Sequence, residues 1–396
     1  MPRSLRTELL RPERPEVLLA SLTLAVKLAV LGLGAASYLA FSTGRIGDPL
    51  DVLAVWNRWD APHYLDLVVF GYRDGNSCGL MGPNGYRSVF PCDLALYIVF
   101  YPLFPWLATA VNAVVDQPLV SAFVVSSAAS VVVAPLLYRL VRLDEGPAVA
   151  LRAAWFLLIF PTAYFLHIGY TEALFMALVL GSFLAARTDR WWLAGLLGGL
   201  AALTRVNGLI LVPALLAEAA TRWYEQPPGQ RRLRAAWLGI GLVLLGPAAY
   251  LALNQVVYGD PFTFLEVQRD HWHKSLQAPW VGIGSAFLWF RDGTPDQALM
   301  YGGFELGFTA IGLAATIFAA LRFRPSWFAW MAGNWILFVS TAFLVSVPRY
   351  TLTMFPVFVA MAIGTRGSRA LVAVSAVSLA GFVYLVARFA SGSWAF

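Results

Sequence analysis

VLLASLTLAVKLAVLGLGAASYLAF, residues 17–41, decides the fold. A helix needs about 20 apolar residues to cross the hydrocarbon core of a bilayer, and this run exceeds that with a single ionisable group, Lys27. It is too long for the core of a signal peptide and lacks a clean small-x-small cleavage site, so it is expected to stay as an uncleaved first helix. Runs of the same kind recur along the 396 residues. They are continuous rather than alternating, which indicates helices rather than barrel strands, and only helices or closed barrels satisfy their backbone in lipid. The chain is 59% hydrophobic and 13% charged, whereas a soluble domain carries about 25% charged residues. The expected fold class is an all-α polytopic membrane protein.

Charge asymmetry orients the helices. Arg3, Arg6, Arg11 and Arg14 precede the first run, which places the N-terminus in the cytoplasm. Residues 42–93 then form a first outer loop of about 50 residues, a length usually functional or disordered. Residues 94–115 are apolar but contain Pro102 and Pro105 among aromatics, the pattern of an interfacial helix rather than a clean span. Reading them as a full span would put Arg139, Arg142 and Arg152 outside. Further spans are expected near 119–141, 153–168 and 173–186. Residues 191–219 read as two short helices meeting at Arg205, because basic residues flank both ends. Spans near 235–258, 298–321, 327–345, 351–364 and 370–388 complete a count of about 11. A second elaborated outer loop covers 259–297. No tandem period or soluble domain is visible, so 1–396 reads as one membrane domain.

Function is sought where ionisable residues gather. Trp56-Asn57-Arg58-Trp59-Asp60-Ala61-Pro62-His63-Tyr64-Leu65-Asp66 sits just past the first helix, and such a cluster in a membrane protein marks a functional site by default. Asp60 has two readings: a general base with a tuned pKa, or a solvated acid on an interfacial helix. Asp66, six residues on, falls on another helical face and reads as structural or solvated. His167 and Glu172 belong to the same expected face. Glu172 opens a helix, where the dipole favours an acid as a simple cap. Arg205 and Arg349 are costly near lipid unless paired; a phosphate or an intramembrane carboxylate would each serve. Basic groups in 269–274 could neutralise a phosphate or be solvated at the interface. Cys78 and Cys92 share the first outer loop, where a disulfide is favoured.

Several classes are excluded. The excess of arginine is the ordinary orientation signal, so no nucleic-acid partner is expected. No Walker loop, dinucleotide fingerprint or metal-spaced cysteine set occurs. No metal site and no cofactor are predicted, and dependence on a divalent metal stays open.

The motifs together resemble a known family. Arg58-Trp59-Asp60-Ala61-Pro62-His63-Tyr64 followed by Gly71-Tyr72 is similar to the first outer loop of PIG-V-type mannosyltransferases, as is Phe100-Tyr101-Pro102-Leu103-Phe104-Pro105. Phe160-Pro161-Thr162-Ala163-Tyr164-Phe165-Leu166-His167, then Tyr170-Thr171-Glu172-Ala173-Leu174-Phe175, resembles the second outer motif. Leu203-Thr204-Arg205-Val206-Asn207-Gly208, Gly259-Asp260-Pro261-Phe262 and Arg349-Tyr350 complete the resemblance over roughly residues 50–365. It implies a GT-C-like bundle and a sugar, mannose by family, carried on a polyprenyl phosphate. It also implies inverting transfer to a lipid or glycan acceptor at the extracytoplasmic face of the cell membrane. The family's catalytic base falls on Asp60, and a second acid on Glu172. Arg58, Trp59, His63, His167, Arg205, Arg349 and Tyr350 become the expected substrate contacts. The compact, Arg-rich chain suits a prokaryotic member, so the glycosylphosphatidylinositol acceptor of the eukaryotic namesake does not carry over. A lipid or sugar transporter, or a non-catalytic subunit of a glycosylation complex, are the alternatives.

Overall fold

A computed structural model of the protein describes residues 13–42, 44–75, 86, 88 and 93–396. The expected Cys78–Cys92 disulfide lies outside the described residues. The helices are α1 (Arg14–Phe41), α2 (Pro49–Ala54), α3 (Ala61–Phe70), α4 (Leu103–Val115), α5 (Pro118–Glu145) and α6 (Pro147–Leu158). There follow α7 (Glu172–Arg187), α8 (Trp191–Thr204), α9 (Leu211–Tyr224), α10 (Ala235–Tyr258), α11 (Thr263–Asp270) and α12 (Pro279–Asp292). The last are α13 (Pro295–Arg322), α14 (Pro325–Val339), α15 (Val347–Thr351), α16 (Pro356–Gly364) and α17 (Ser368–Ala390). Prolines 118, 147, 279, 325 and 356 each sit in the first turn. There a missing N–H costs nothing and the fixed φ suits the helix.

Among the described residues five helices are long and apolar enough to cross a membrane: α1, α5, α10, α13 and α17. Others are shorter than the expected spans. Pro161 follows α6 and ends it early, leaving a 3₁₀ turn at Ala163–Leu166 where the sequence reads as a continuous crossing. The run at 94–115 divides into a 3₁₀ turn, Leu94–Val99, and α4, broken at Pro102. Residues 191–219 are two helices, α8 and α9, joined by a 3₁₀ turn, Val206–Ile210, that begins beside Arg205. The run at 351–364 is likewise split into α15 and α16.

Helices α5 and α7 form the buried centre, with α8 against α7 and α10 against α8. The last contact is glycine on glycine. A Cβ on Gly195 of α8 would lie 1.7 Å from the Gly239 carbonyl oxygen of α10, and one on Gly246 would lie 2.1 Å from that of Gly199. Lipid offers no hydrophobic drive between helices, so close backbone approach through small residues supplies the attraction. On the outside of the bundle Val372, Val377 and Val383 of α17 stay exposed, as surface meant for hydrocarbon does.

Candidate active site

The site gathers where four breaks in helices meet at one end of the bundle. The first is the turn between α2 and α3. Trp59 has φ +56°, a strained value for a bulky residue. That turn delivers Asp60 to the start of α3, which Pro62 opens. The second is the start of α7, with Thr171 and Glu172. The third is the 3₁₀ link after α8, with Arg205. The fourth is α15, with Arg349 and Tyr350.

Asp60 Oδ2 lies 2.5 Å from Arg349 Nη1, and Arg349 Nε lies 2.6 Å from Glu172 Oε1. Arg205 Nη1 donates to the same Glu172 oxygen and, at 2.9 Å, to the Thr171 hydroxyl. The Arg349 guanidinium also sits 4.7 Å from the Phe165 ring centre and 4.8 Å from that of Tyr170. Two carboxylates and two guanidiniums thus balance each other in a chain. Exposure grades along it: Glu172 0%, Arg349 6%, Arg205 16% and Asp60 32%. Burial alone would push the Asp60 carboxyl up, but the charge and hydrogen bond of Arg349 outweigh it and hold Asp60 below its ordinary range. Burial lowers His63, against the pull of Asp60.

These groups border a cavity of about 580 Å³. Asp60, Tyr64, Arg205, Arg349 and Tyr350 line it, together with Lys274. Lys274 is held there by an antiparallel bridge between Leu276 and Thr341. Its Nζ lies 3.4 Å from the Tyr350 hydroxyl. Among the described residues no carboxylate lies within 4.0 Å of it. Carboxylate and spare cation therefore face one cavity.

Other expected substrate contacts lie elsewhere. Arg58 donates to the Val55 carbonyl at 2.9 Å and to the Ala390 carbonyl at 3.1 Å, fastening the Asp60 turn to the end of α17. Trp59 packs edge-on against Trp394 at 4.9 Å. The His63 Nδ1 is 3.0 Å from the Trp59 carbonyl oxygen, and its ring stacks on Phe100. His167 is fully buried, and Lys27 donates to its carbonyl. None of these four side chains lines the cavity. Glu172 sits behind the arginines and does not line the cavity, whereas Asp60 does. Asp66 is structural: it accepts from Tyr86, Ser88 and Tyr97 at 2.8, 2.5 and 3.2 Å. Among the described residues no three His, Cys, Asp or Glu gather closely enough to hold a metal ion.

Fold and site define a polytopic helical membrane protein with paired carboxylates and guanidiniums beside a cavity at one end of the bundle. ArnT from Cupriavidus metallidurans, solved with undecaprenyl phosphate, shares the fold at a TM-score of 0.50 and 16% identity, over 91% of this chain and 62% of that one. The family model described as dolichyl-phosphate-mannose-protein mannosyltransferase matches residues 101–251. GPI alpha-1,6-mannosyltransferase 2 of Rattus norvegicus is 33% identical over 172 residues, covering 40% of this chain and 31% of that protein. The Cricetulus griseus protein of that name is 31% identical over 196 residues, covering 45% and 35%. Over these segments the chain is similar to those mannosyltransferases, and it spans about a third of the length of the curated proteins it matches. The family-model match includes Glu172 and Arg205, while Asp60 and Arg349 lie outside it.

Proposed function

We propose that the protein is a membrane glycosyltransferase that moves a sugar from a polyprenyl-phosphate donor to a lipid or glycan acceptor. Mannose is the sugar named for its relatives. The observation that carries this is Asp60, a carboxylate held below its ordinary range, on the wall of a cavity that Lys274, Arg205 and Tyr350 also line. The acceptor hydroxyl oxygen attacks the anomeric carbon and gives its proton to Asp60. The bond from that carbon to the phosphate oxygen breaks on the opposite face, and the polyprenyl phosphate leaves with the electron pair, inverting the centre. Cations fixed beforehand near the leaving oxygen stabilise the charge that develops there. Arg349 already serves two carboxylates, so the phosphate falls to Arg205 and Lys274. Glu172 acts through the two arginines as a positioning residue.

We infer the side of the membrane with support from α7. Glu172 opens this helix of 16 residues and Arg187 closes it, about 22 Å apart at 1.5 Å per residue. At the Arg187 end lie Arg222 and Arg324, drawn to Glu218. Basic residues mark the cytoplasmic end, so the cavity belongs to the extracytoplasmic side and the N-terminus to the cytoplasm. The whole chain acts as one membrane domain.

The test is mass analysis of products after purified protein is incubated with polyprenyl-phosphate mannose and cell-envelope lipids. A mannosylated lipid or glycan, absent with Asp60→Asn, supports the proposal. Intact donor after long incubation with active control enzyme would sink it.

A further inference from the structure

Glu305 is a carboxylate buried in the apolar helix α13, fully closed to solvent. It is not a cavity wall and takes no part in the scheme above. Its two oxygens accept from two successive backbone N–H groups, Ser346 at 2.7 Å and Val347 at 2.8 Å. Those N–H groups begin α15, the turn that carries Arg349. An ionisable group buried in a bundle is expensive unless it is used, and here its carboxyl holds a backbone that is itself awkward. Ser346 has φ +67°, a left-handed value that a non-glycine residue keeps only when its surroundings impose it.

The helix is built to aim this acid. Residues 298–304 of α13 form a π segment, and Glu305 is the first residue beyond it. Such segments recur at functional sites. Within it, Gly302 lies against the α12 backbone, where a Cβ would come within 2.6 Å of Phe290 Cα. From the other side the Thr162 hydroxyl donates to the Pro348 carbonyl at 2.9 Å. Arg349 therefore emerges from a turn gripped on both flanks.

We propose that Glu305 is a positioning residue that fixes the backbone of α15, so that Arg349 bridges Asp60 and Glu172 in register. This rests on the glycosyltransfer reading for its kinetic consequence, but the geometric consequence stands apart from it. The groups facing Asp60 are Arg349, Arg205 and His63, with Tyr64, Tyr170 and Glu172 beyond them. Of these, Arg349 pairs with the Asp60 carboxylate at 2.5 Å. Releasing α15 removes that contact.

The experiment uses the whole chain in lipid nanodiscs. Asp60 is labelled with a water-soluble carbodiimide and an amine across pH, and its protonation midpoint is read by peptide mass spectrometry. In Glu305→Gln the midpoint should rise by about one unit or more, the size of effect an adjacent arginine exerts on a carboxylate. Arg349→Gln should give the same rise, and the double variant no more than either. Turnover of Glu305→Gln should fall about a hundredfold, as misplacement of a catalytic group does, with the donor KM little changed. A folded Glu305→Gln protein with the wild-type midpoint overturns the proposal. If that variant does not fold, Glu305→Asp, too short to hold both N–H groups, is judged by the same midpoint. Wild-type protein that transfers no sugar defeats the glycosyltransferase reading alone, because the midpoint comparison still decides the role of Glu305.

Discussion

Asp60 and Arg349 stand 289 positions apart and touch. At the scale of single residues, the proposed chemistry depends on that contact. Asp60→Asn keeps the shape of the side chain and cannot take a proton; turnover should fall about a hundredfold or more, and near-normal rates in folded protein would remove Asp60 from the base role. Because Arg349 holds the carboxyl below its ordinary range, the wild-type base stays ionised as pH falls until that lowered value is reached. The acid limb of the kcat profile should therefore lie below the usual carboxylate pKa, near 3.9; a limb above that value contradicts the ion pair. Arg349→Lys keeps one charge but cannot reach two carboxylates at once. It should lower kcat with little effect on the donor constant, whereas a rise confined to the donor constant would return the phosphate to Arg349. The sequence singles out Asp60, Glu172, Arg205, Arg349 and Tyr350, since ionisable groups stand out against apolar runs. It leaves open whether the arginines meet phosphate or carboxylate, because Glu172 lies 177 positions from Arg349. Lys274 is not singled out from the other basic groups of 269–274, which read either as phosphate-neutralising or as solvated, and Glu305 is hidden within an expected span. A lone acid inside an apolar run is nonetheless a signal in its own right.

At the scale of elements, the short helices set the site. Arg205 and Glu172 sit where a helix ends or begins and Arg349 sits on the single-turn helix α15, so these breaks are what let charged side chains converge without reaching lipid. Prolines and the Thr204-Arg205-Val206-Asn207-Gly208 interruption make some of these breaks legible in sequence. The end of α6 and the division between α15 and α16 also carry prolines, Pro161 and Pro356, but a proline within an apolar run does not say whether the helix kinks and continues or stops. The Gly195–Gly239 and Gly199–Gly246 contacts supply the rigid wall behind Arg205. Gly195→Leu should force α8 and α10 apart and cost about 3 kcal/mol, the upper range for overpacking a tight interior. Thermal unfolding in detergent measures this, and an unchanged midpoint would mean the two helices do not pack through glycine. Gly241, which has open space where its Cβ would stand, serves as the control: Gly241→Leu should be tolerated.

At the scale of the whole molecule, the two ends of the bundle differ in how they use charge. At one end Glu218 is fully buried and hydrogen-bonded to Arg324 at 2.9 Å and to Ser326 at 2.7 Å, with Arg187 3.3 Å away; these arginines are neutralised within the protein. At the other end the cavity keeps Lys274 without a carboxylate partner among the described residues, which leaves it available to an anion. The chain contains just two lysines, Lys27 and Lys274, and Lys27 is buried in α1 with its Nζ donating to the His167 carbonyl at 2.8 Å. Amine chemistry can therefore report the sidedness of the cavity without any mutation. A membrane-impermeant amine reagent applied to intact cells should modify Lys274 and spare both Lys27 and the N-terminal amine, as peptide mass mapping would show. Opening the cells should add the N-terminus to the modified sites. Excess polyprenyl phosphate should protect Lys274 if the phosphate sits beside it. Labelling of the N-terminus in intact cells with Lys274 untouched would reverse the orientation and place the cavity on the cytoplasmic side.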